Sequence, residues 1–452
     1  MLKHIRNVAI LLIILGLAAG YYFTRGDTAR LPLEATEGVE PALTNVRKET
    51  FPTINIAKAQ PWGEEGGPVA AEGLVVERFA DGLDHPRTMF RLPNGDILVA
   101  ETNSPPRTNK GIEGWIMRNL MSKAGAAGES ANRISLLRDS DKDGTVDEKF
   151  TFLDNLNSPF GMALIDDTLY VANTDAVYAY PYAEGDTKIT AEGRKVANLN
   201  ARAPNNHWTR DLLASKDGKY LYISVGSNSN IGENGMDIEK QRAAILQVEL
   251  ATNKKTIYAD GMRNPVGMAY LPGTDKFYTV VNERDMLGSD MVPDYLTEVR
   301  WGAHYGWPWH FWGGYVDPRV ENKNLDHRQY ERRPDYALGA HVAPLGLAFT
   351  HGQALGKPFA SGAVVARHGS WNRQPLAGYD VVYVNFNQRG EPEGKPVTIL
   401  SGFVDDDKEA RGRPTMVAFD QTGALLVSDD VGGIIWRVSR KGATKPDLEA
   451  RK

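Results

Sequence analysis

The chain has 452 residues, 42% of them apolar, and a formal net charge of −5 from 52 Lys and Arg against 57 Asp and Glu. That length suits one large domain or two to three ordinary ones, and the slight acidic balance argues against a nucleic-acid partner. The absence of cysteine excludes disulfides, thiolate metal sites, cysteine nucleophiles and CxxCH haem attachment.

Lys3 and Arg6 precede the uncharged run Val8–Phe23. A basic segment followed by an apolar one is the order of a signal peptide or short anchor. Ala18-Ala19-Gly20 is small enough for cleavage, and Tyr21-Tyr22-Phe23 suits a membrane interface. The expectation is a signal-anchor or signal peptide over 1–24, with an inner-membrane transmembrane helix and a periplasmic domain as first choice. Cleavage to a soluble periplasmic protein is the second. Residues 25–72 mix Pro, Gly and charge without periodicity and read as a linker lying on the domain surface.

From Gly73 one unit recurs. It opens Pro86-Arg-Thr-Met, Pro159-Phe-Gly-Met, Thr209-Arg-Asp-Leu, Pro265-Val-Gly-Met, Pro344-Leu-Gly-Leu and Pro414-Thr-Met-Val. Turns such as Asn94-Gly95, Asp217-Gly218 and Thr422-Gly423 follow in most copies, and then a second apolar strand (DILVAET, TLYVANT, YLYISVG, KFYTVVN, GAVVARHG, ALLVSDD). Copies spaced roughly 50 to 80 residues apart predict an all-β, six-bladed β-propeller over 73–440, with a C-terminal tail at 441–452.

In such a fold the residues before first strands and after second strands meet at one mouth of the axis. Here the first set holds Arg87, His207, Arg210, Arg263, Asn264, His341, Arg411 and Arg413. The second holds Glu101, Asn173, Ser227, Asn228, Asn282, Glu283, the stretch His368–Arg373, and Asp429. Like charges gathered without an anion repel, so the arginines and histidines predict an anionic ligand held by guanidinium–carboxylate contacts. Two insertions interrupt the repeat. Trp115–Ala127 reads as a short amphipathic helix. Arg300–Tyr315 carries four tryptophans, as either packing under a long loop or the wall of a sugar pocket. Asp139, Asp141, Asp143 and Asp147 stand at positions 1, 3, 5 and 9 of a loop with Gly144 at position 6, a spacing that wraps oxygen ligands around Ca2+. Position 12 is Phe150, so it is not an EF-hand, and a metal-free acidic turn is the other reading.

Five ordered motifs carry a family resemblance: Gly261–Tyr270 (GMRNPVGMAY), Val281–Asp285 (VNERD), Tyr305–Pro308 (YGWP), His368–Arg373 (HGSWNR) and Arg411–Asp430 (RGRPTMVAFDQTGALLVSDD). Together they resemble the PQQ-dependent sugar dehydrogenases, most closely the sorbosone dehydrogenase-like branch and more distantly soluble quinoprotein glucose dehydrogenase and aldose sugar dehydrogenase. The resemblance covers about Gly73 to Arg440. It implies pyrroloquinoline quinone (PQQ) on the axis with Ca2+ against it, oxidising a sugar or related alcohol or aldehyde by hydride transfer, with an electron acceptor in the membrane or periplasm. By motif, His207 resembles the catalytic base, and Arg263 with Asn264 the Arg-Asn pair beside the cofactor. Arg411 and Arg413 resemble the Arg-x-Arg that binds its carboxylates. Arg284 and Asp285 fall where backbone carbonyls hold the catalytic Ca2+. The sequence departs from the pattern where an aspartate orients the histidine, since Ser227 and Asn228 stand there. The cofactor lysine has no counterpart, and His368 or Arg373 takes its place, while His341 replaces a threonine. Two other classes stay open: a Ca2+-dependent lactonase or esterase ringed by Glu101, Asn173, Asn228, Asn282 and Asp429 with His207 as base, and a non-catalytic propeller scaffold.

Overall fold

The structure is a computed structural model and describes residues 2–106, 111–321, 328–350 and 355–443. Six antiparallel sheets follow one another along the chain, each a meander running outward from its first strand. Blade one uses Pro86–Arg91, Ile97–Glu101, Arg133–Arg138 and Glu148–Leu153, and blades two to five repeat the order. Blade six breaks it. Its strands Pro414–Phe419, Leu425–Asp429 and Ile434–Arg440 are completed by Leu74–Ala80, which pairs antiparallel with Ile434–Arg440. The two ends of the repeat region therefore close the ring by backbone hydrogen bonds, and no blade is left with a long bare edge there. The predicted six-bladed propeller is seen. Blade four has a third strand, Pro293–Glu298, that the sequence pattern did not mark.

The repeated Pro-x-Gly-Met opening has a packing reason. A Cβ on Gly161 would lie 2.4 Å from Leu212 N, one on Gly267 2.6 Å from Leu345 O, and one on Gly346 2.7 Å from Met416 Cα. Each glycine lets the innermost strand of the next blade pass at backbone contact, as the narrow axis requires. Phe160, Trp208, Val266, Leu345 and Met416, one from each of blades two to six, then form a single buried cluster. Residues from five blades meet only on the axis, so this is its apolar plug.

Residues 25–72 run over blades four to six as a strap. Glu37–Gly38 adds to the outer edge of blade four and Val69–Ala70 to that of blade five, while Lys58–Ala59 pairs in parallel with Glu409–Ala410. Asp290 accepts the backbone N–H groups of Arg30 and Leu31, and Trp62 Nε1–H donates to Asp429 at 2.8 Å. Leu2–Thr24 is helical (α1). Among the described residues no helix is long and apolar enough to cross a membrane, so the transmembrane reading is not supported. The uncharged run Val8–Phe23 spans about 24 Å as a helix, short of a hydrocarbon core of about 30 Å. The insertion helix is Gly111–Lys123 (α2), four residues earlier than predicted. The C-terminal tail lies outside the described residues from 444 onward.

Candidate active site

His207 precedes the first strand of blade three, beside the end of that blade's second strand, Tyr220–Val225. Its Nδ1 lies 2.8 Å from the Ser227 carbonyl and 3.0 Å from Ser227 Oγ. Ser227 Oγ–H donates to the Ser229 carbonyl at 2.5 Å, so Oγ faces the ring as an acceptor. Both partners at Nδ1 accept, which places the proton there and leaves Nε2 as the basic atom. Burial, and then the charge of Arg263, hold the His207 pKa well below the usual imidazole value. The ring is thus neutral and in the base tautomer, oriented without a carboxylate.

Two arginines fix the loop itself. Arg210 is fully buried and donates to the carbonyls of His207, Thr209 and Asn200. Arg242 donates to the carbonyls of His207 (2.7 Å), Ser227 and Gly226. Arg210 was predicted to touch cofactor; its guanidinium is instead taken up by these carbonyls and by Asn205 Oδ1. Arg242 was missed, since it stands before a third strand, where the repeat gives no signal.

Beside His207 lies a second set. Arg263 donates to the carbonyls of Asn230 and Glu283 and to Asp285 Oδ2 at 2.9 Å. His341 faces Asp285 Oδ1 at 3.5 Å through Nδ1 and the Gly288 carbonyl at 3.0 Å through Nε2. Burial opposes charge on both partners, yet the pairing prevails: the Asp285 pKa is lowered and that of His341 raised. Asn264 Oδ1 is buried with no hydrogen-bond partner among the described residues.

A third set, from blades one, five and six, is joined to the first through Trp208, whose ring lies 5.6 Å from the Arg87 guanidinium. Arg87 pairs with Asp430, and His368 Nε2 lies 3.0 Å from the same carboxylate. Burial alone would raise the Asp430 pKa, but His368 and Arg87 outweigh it and hold the group well below the carboxylate range. Arg413 is 6% exposed and sits over the Tyr379 ring at 5.1 Å. The only polar contacts of its guanidinium among the described residues are long ones, to Ala57 O at 3.5 Å and Tyr379 Oη at 3.4 Å. The Nε atoms of Arg87, Arg373 and Arg413 are buried without hydrogen-bond partners among the described residues.

Several expected site residues are placed elsewhere. Arg411 pairs with Asp405 and Glu409, acids of its own neighbourhood, and so does not join Arg413. Arg373 is buried and donates to Pro375 O. Arg284 lies inside the protein, held by Glu283 and Asp317 and by the carbonyls of Pro308 and His310. The Asp285 carbonyl accepts from Arg319 at 2.7 Å and from Asn230 Nδ2 at 3.2 Å, so that oxygen is already engaged by a cation. In the acidic turn Asp139, Asp141 and Asp147 offer oxygens within 4.8 Å of one another, whereas Asp143 Oδ1 accepts from Thr145 N. Of the five residues expected to ring a hydrolase metal, four are engaged within the protein, and Asn173 Oδ1 is buried without a hydrogen-bond partner among the described residues. Glu101 binds Arg133 and Ser135, and Asp429 binds Trp62, Trp436 and the Arg413 N–H. Asn228 Nδ2 donates to Arg202 O, and Asn282 Nδ2 to Pro344 O.

The sequence matches the TrAA12-like family over residues 68–294 and 315–441. A pyrroloquinoline quinone-dependent sugar dehydrogenase of Hypocrea jecorina (strain QM6a) is 23% identical over 432 residues, covering 82% of this chain and 88% of that one. Among solved structures, the calcium structure of the Trichoderma reesei carbohydrate-active enzyme of family AA12 superposes with a TM-score of 0.67 at 20% identity, over 86% of this chain and 99% of that chain. The holo form of the pyranose dehydrogenase PQQ domain from Coprinopsis cinerea superposes with a TM-score of 0.66 at 18% identity, over 85% and 100%.

Proposed function

The chain belongs to the TrAA12-like family, and from that premise we propose that it is a PQQ-dependent oxidoreductase that oxidises a sugar or related alcohol at the mouth of the propeller axis. The observation that carries this reading is Arg413, a buried guanidinium with no carboxylate partner among the described residues, beside the Arg87–Asp430–His368 set. Buried cations without counter-ions are costly, so these groups fit a ligand that brings its own carboxylates. PQQ is such a ligand. Arg413, Arg87 and Asn264, with their orphaned polar atoms, are the groups that would hold it. When bound it supplies a two-electron acceptor for hydride from the substrate carbinol carbon. His207 takes the hydroxyl proton at Nε2, the free lone pair that its Nδ1 contacts leave. Arg263, with His341 paired to Asp285 next to it, lies beside His207 and would stabilise developing oxyanion character.

Calcium is proposed for the acidic turn, where Asp139, Asp141 and Asp147 already converge and the role is structural. The backbone site expected at Arg284 and Asp285 does not fit calcium as it stands. Arg319 occupies the Asp285 oxygen, and no catalytic step is drawn through a metal there. The basic-then-apolar N-terminus places the propeller outside the cytoplasm in this proposal; a reporter fused after residue 24 and recovered only in the cytoplasm contradicts that.

The test is PQQ titration of the purified chain, followed by dye reduction with a panel of aldoses and alcohols. His207→Ala should lower turnover by a factor on the order of 100 or more while PQQ still binds. Arg413→Ala should weaken PQQ binding by about 10- to 100-fold, the range for a charge-assisted buried contact. The reverse pattern, or no PQQ binding by the parent, overturns the assignment.

A further inference from the structure

A cavity of about 520 Å3 lies off the axis, between the outer part of blade three and the tryptophan-rich insertion. Trp307, Trp309 and Tyr330 supply aromatic wall, and His304 and Asp260 polar wall. We propose that this cleft binds a saccharide, at a site separate from the one where oxidation takes place.

The chemistry of the wall selects a neutral ligand. Arg242 reaches the cleft but its guanidinium is already committed to backbone carbonyls of the His207 loop. Glu239 accepts from Asn228 N, Ser229 N and Ser229 Oγ. Lys240 pairs with Asp237. Arg242 and Glu239 are therefore committed within the protein, unlike Arg413 of the axial set, and Lys240 meets its partner in an exposed surface pair. What is left for a ligand is flat apolar surface together with the half-exposed Asp260 carboxylate, whose Oδ1 lies 2.7 Å from His304 Nδ1. A sugar ring matches both, with CH faces against aromatic rings and hydroxyls toward the carboxylate.

The cleft is built rather than incidental. The insertion is stitched to blade three by Asp260 N to Ala303 O (3.0 Å), Tyr305 N to Asp260 O (3.0 Å) and Trp307 N to Gly261 O (2.9 Å). Gln241 and Ala243, on either side of Arg242, hold left-handed backbone angles of φ 60° and 50°, a strain that non-glycine residues adopt only when the surroundings enforce it. The cleft draws His304, Trp307 and Trp309 from 295–314, a stretch the family match leaves out. It also backs onto the axial site. Trp307 Nε1–H donates to the Asn230 carbonyl, which Arg263 also binds. A saccharide with more than one ring would then be favoured over a monosaccharide, a corollary that rests on the axial redox reading, whereas binding in the cleft does not.

Calorimetric titration of the full chain without PQQ, using cellotetraose and maltotetraose with glucose as control, tests the binding. At least one tetrasaccharide should bind, and Trp309→Ala should weaken it by about tenfold or more. Dye reduction on a monosaccharide with PQQ present should be unchanged in that variant. Tyr330→Ala, at a residue 78% exposed and so safe for folding, should weaken binding in the same direction. Failure of both tetrasaccharides to bind overturns the proposal, as does parental affinity in both variants. Tetrasaccharide binding without any PQQ-dependent turnover supports the cleft and rejects the redox reading alone.

Discussion

At the scale of single residues, the orientation of His207 decides what the site can do. The ring is held by the carbonyl and hydroxyl of one serine, neither of which stabilises an imidazolium as a carboxylate does. Burial and Arg263 depress its pKa, so the base stays neutral below the ordinary imidazole value. The acid limb of kcat/KM should consequently lie below pH 6.5, with a flat profile from about pH 7.5 to 6.5; a limb at or above 6.5 contradicts the arrangement. Ser227→Asp places an anion at Nδ1 and should move that limb upward. Ser227→Ala keeps the carbonyl contact and should lower kcat/KM by only about tenfold, the worth of one hydrogen bond. The histidine was legible in the sequence because it opens a repeat. Its partners were not, because a backbone carbonyl has no letter. Arg411 and Arg413 looked equivalent in the Arg-x-Arg motif; only folding shows that Asp405 and Glu409 capture the first and leave the second without a carboxylate partner among the described residues.

At the scale of elements, the first strands of the blades carry two jobs at once. They pack against each other around the axis, and their leading residues supply the site. The glycine of the opening motif serves the first job. Gly346→Ala would push a Cβ to 2.7 Å from Met416 Cα and 2.8 Å from Val417 N, both backbone atoms that cannot turn aside. It should destabilise the fold by about 1–3 kcal/mol, read as a lowered denaturation midpoint, while Gly394→Ala, with open space around it but φ +72, should show only the smaller backbone penalty. Equal losses at the two positions would remove the close-approach argument. The repeat was readable from sequence because each copy restates this steric demand. The strap over 25–72 was not, because it joins existing sheets in pieces of two residues and so never builds a period of its own. Its contact with the site is nonetheless direct. Trp62 and the Arg413 N–H both donate to Asp429, so the strap helps set the strand that presents Arg413. Trp62→Phe keeps most of the packing and removes one donor to a buried carboxylate; it should cost about 1–3 kcal/mol and weaken PQQ binding, whereas unchanged affinity would confine the strap to stability.

At the scale of the whole molecule, the ring is stitched from blade to blade by carboxylates that hold their charge at a cost. Asp211 of blade three accepts the Met268 N–H of blade four at 3.0 Å. Asp294 of blade four accepts Glu283 N and the Ala343 N–H that leads into blade five. Asp429 closes the series at the strap. Burial raises all three, against the help of those backbone donors: Asp211 and Asp294 to about 7 and Asp429 to about 6. A carboxyl raised in the fold and ordinary when unfolded binds more protons in the native state. Its contribution to stability is therefore full below about pH 4 and is lost as pH rises toward 7. His207 and His368, both depressed, act in the opposite direction below pH 6.5, so the parent protein alone would blur the effect. Asp211→Asn isolates it. The amide oxygen keeps the Met268 bond and carries no charge to desolvate. Relative to the parent, this variant should gain stability steadily between pH 4 and 7, on the order of 3–4 kcal/mol across the window at 1.36 kcal/mol per pKa unit. Urea midpoints measured at pH 4.5, 6 and 7.5 would trace that gain. A difference that does not change with pH would mean that Asp211 keeps its charge throughout, and that the seam between blades three and four is held by an ordinary ionised acid.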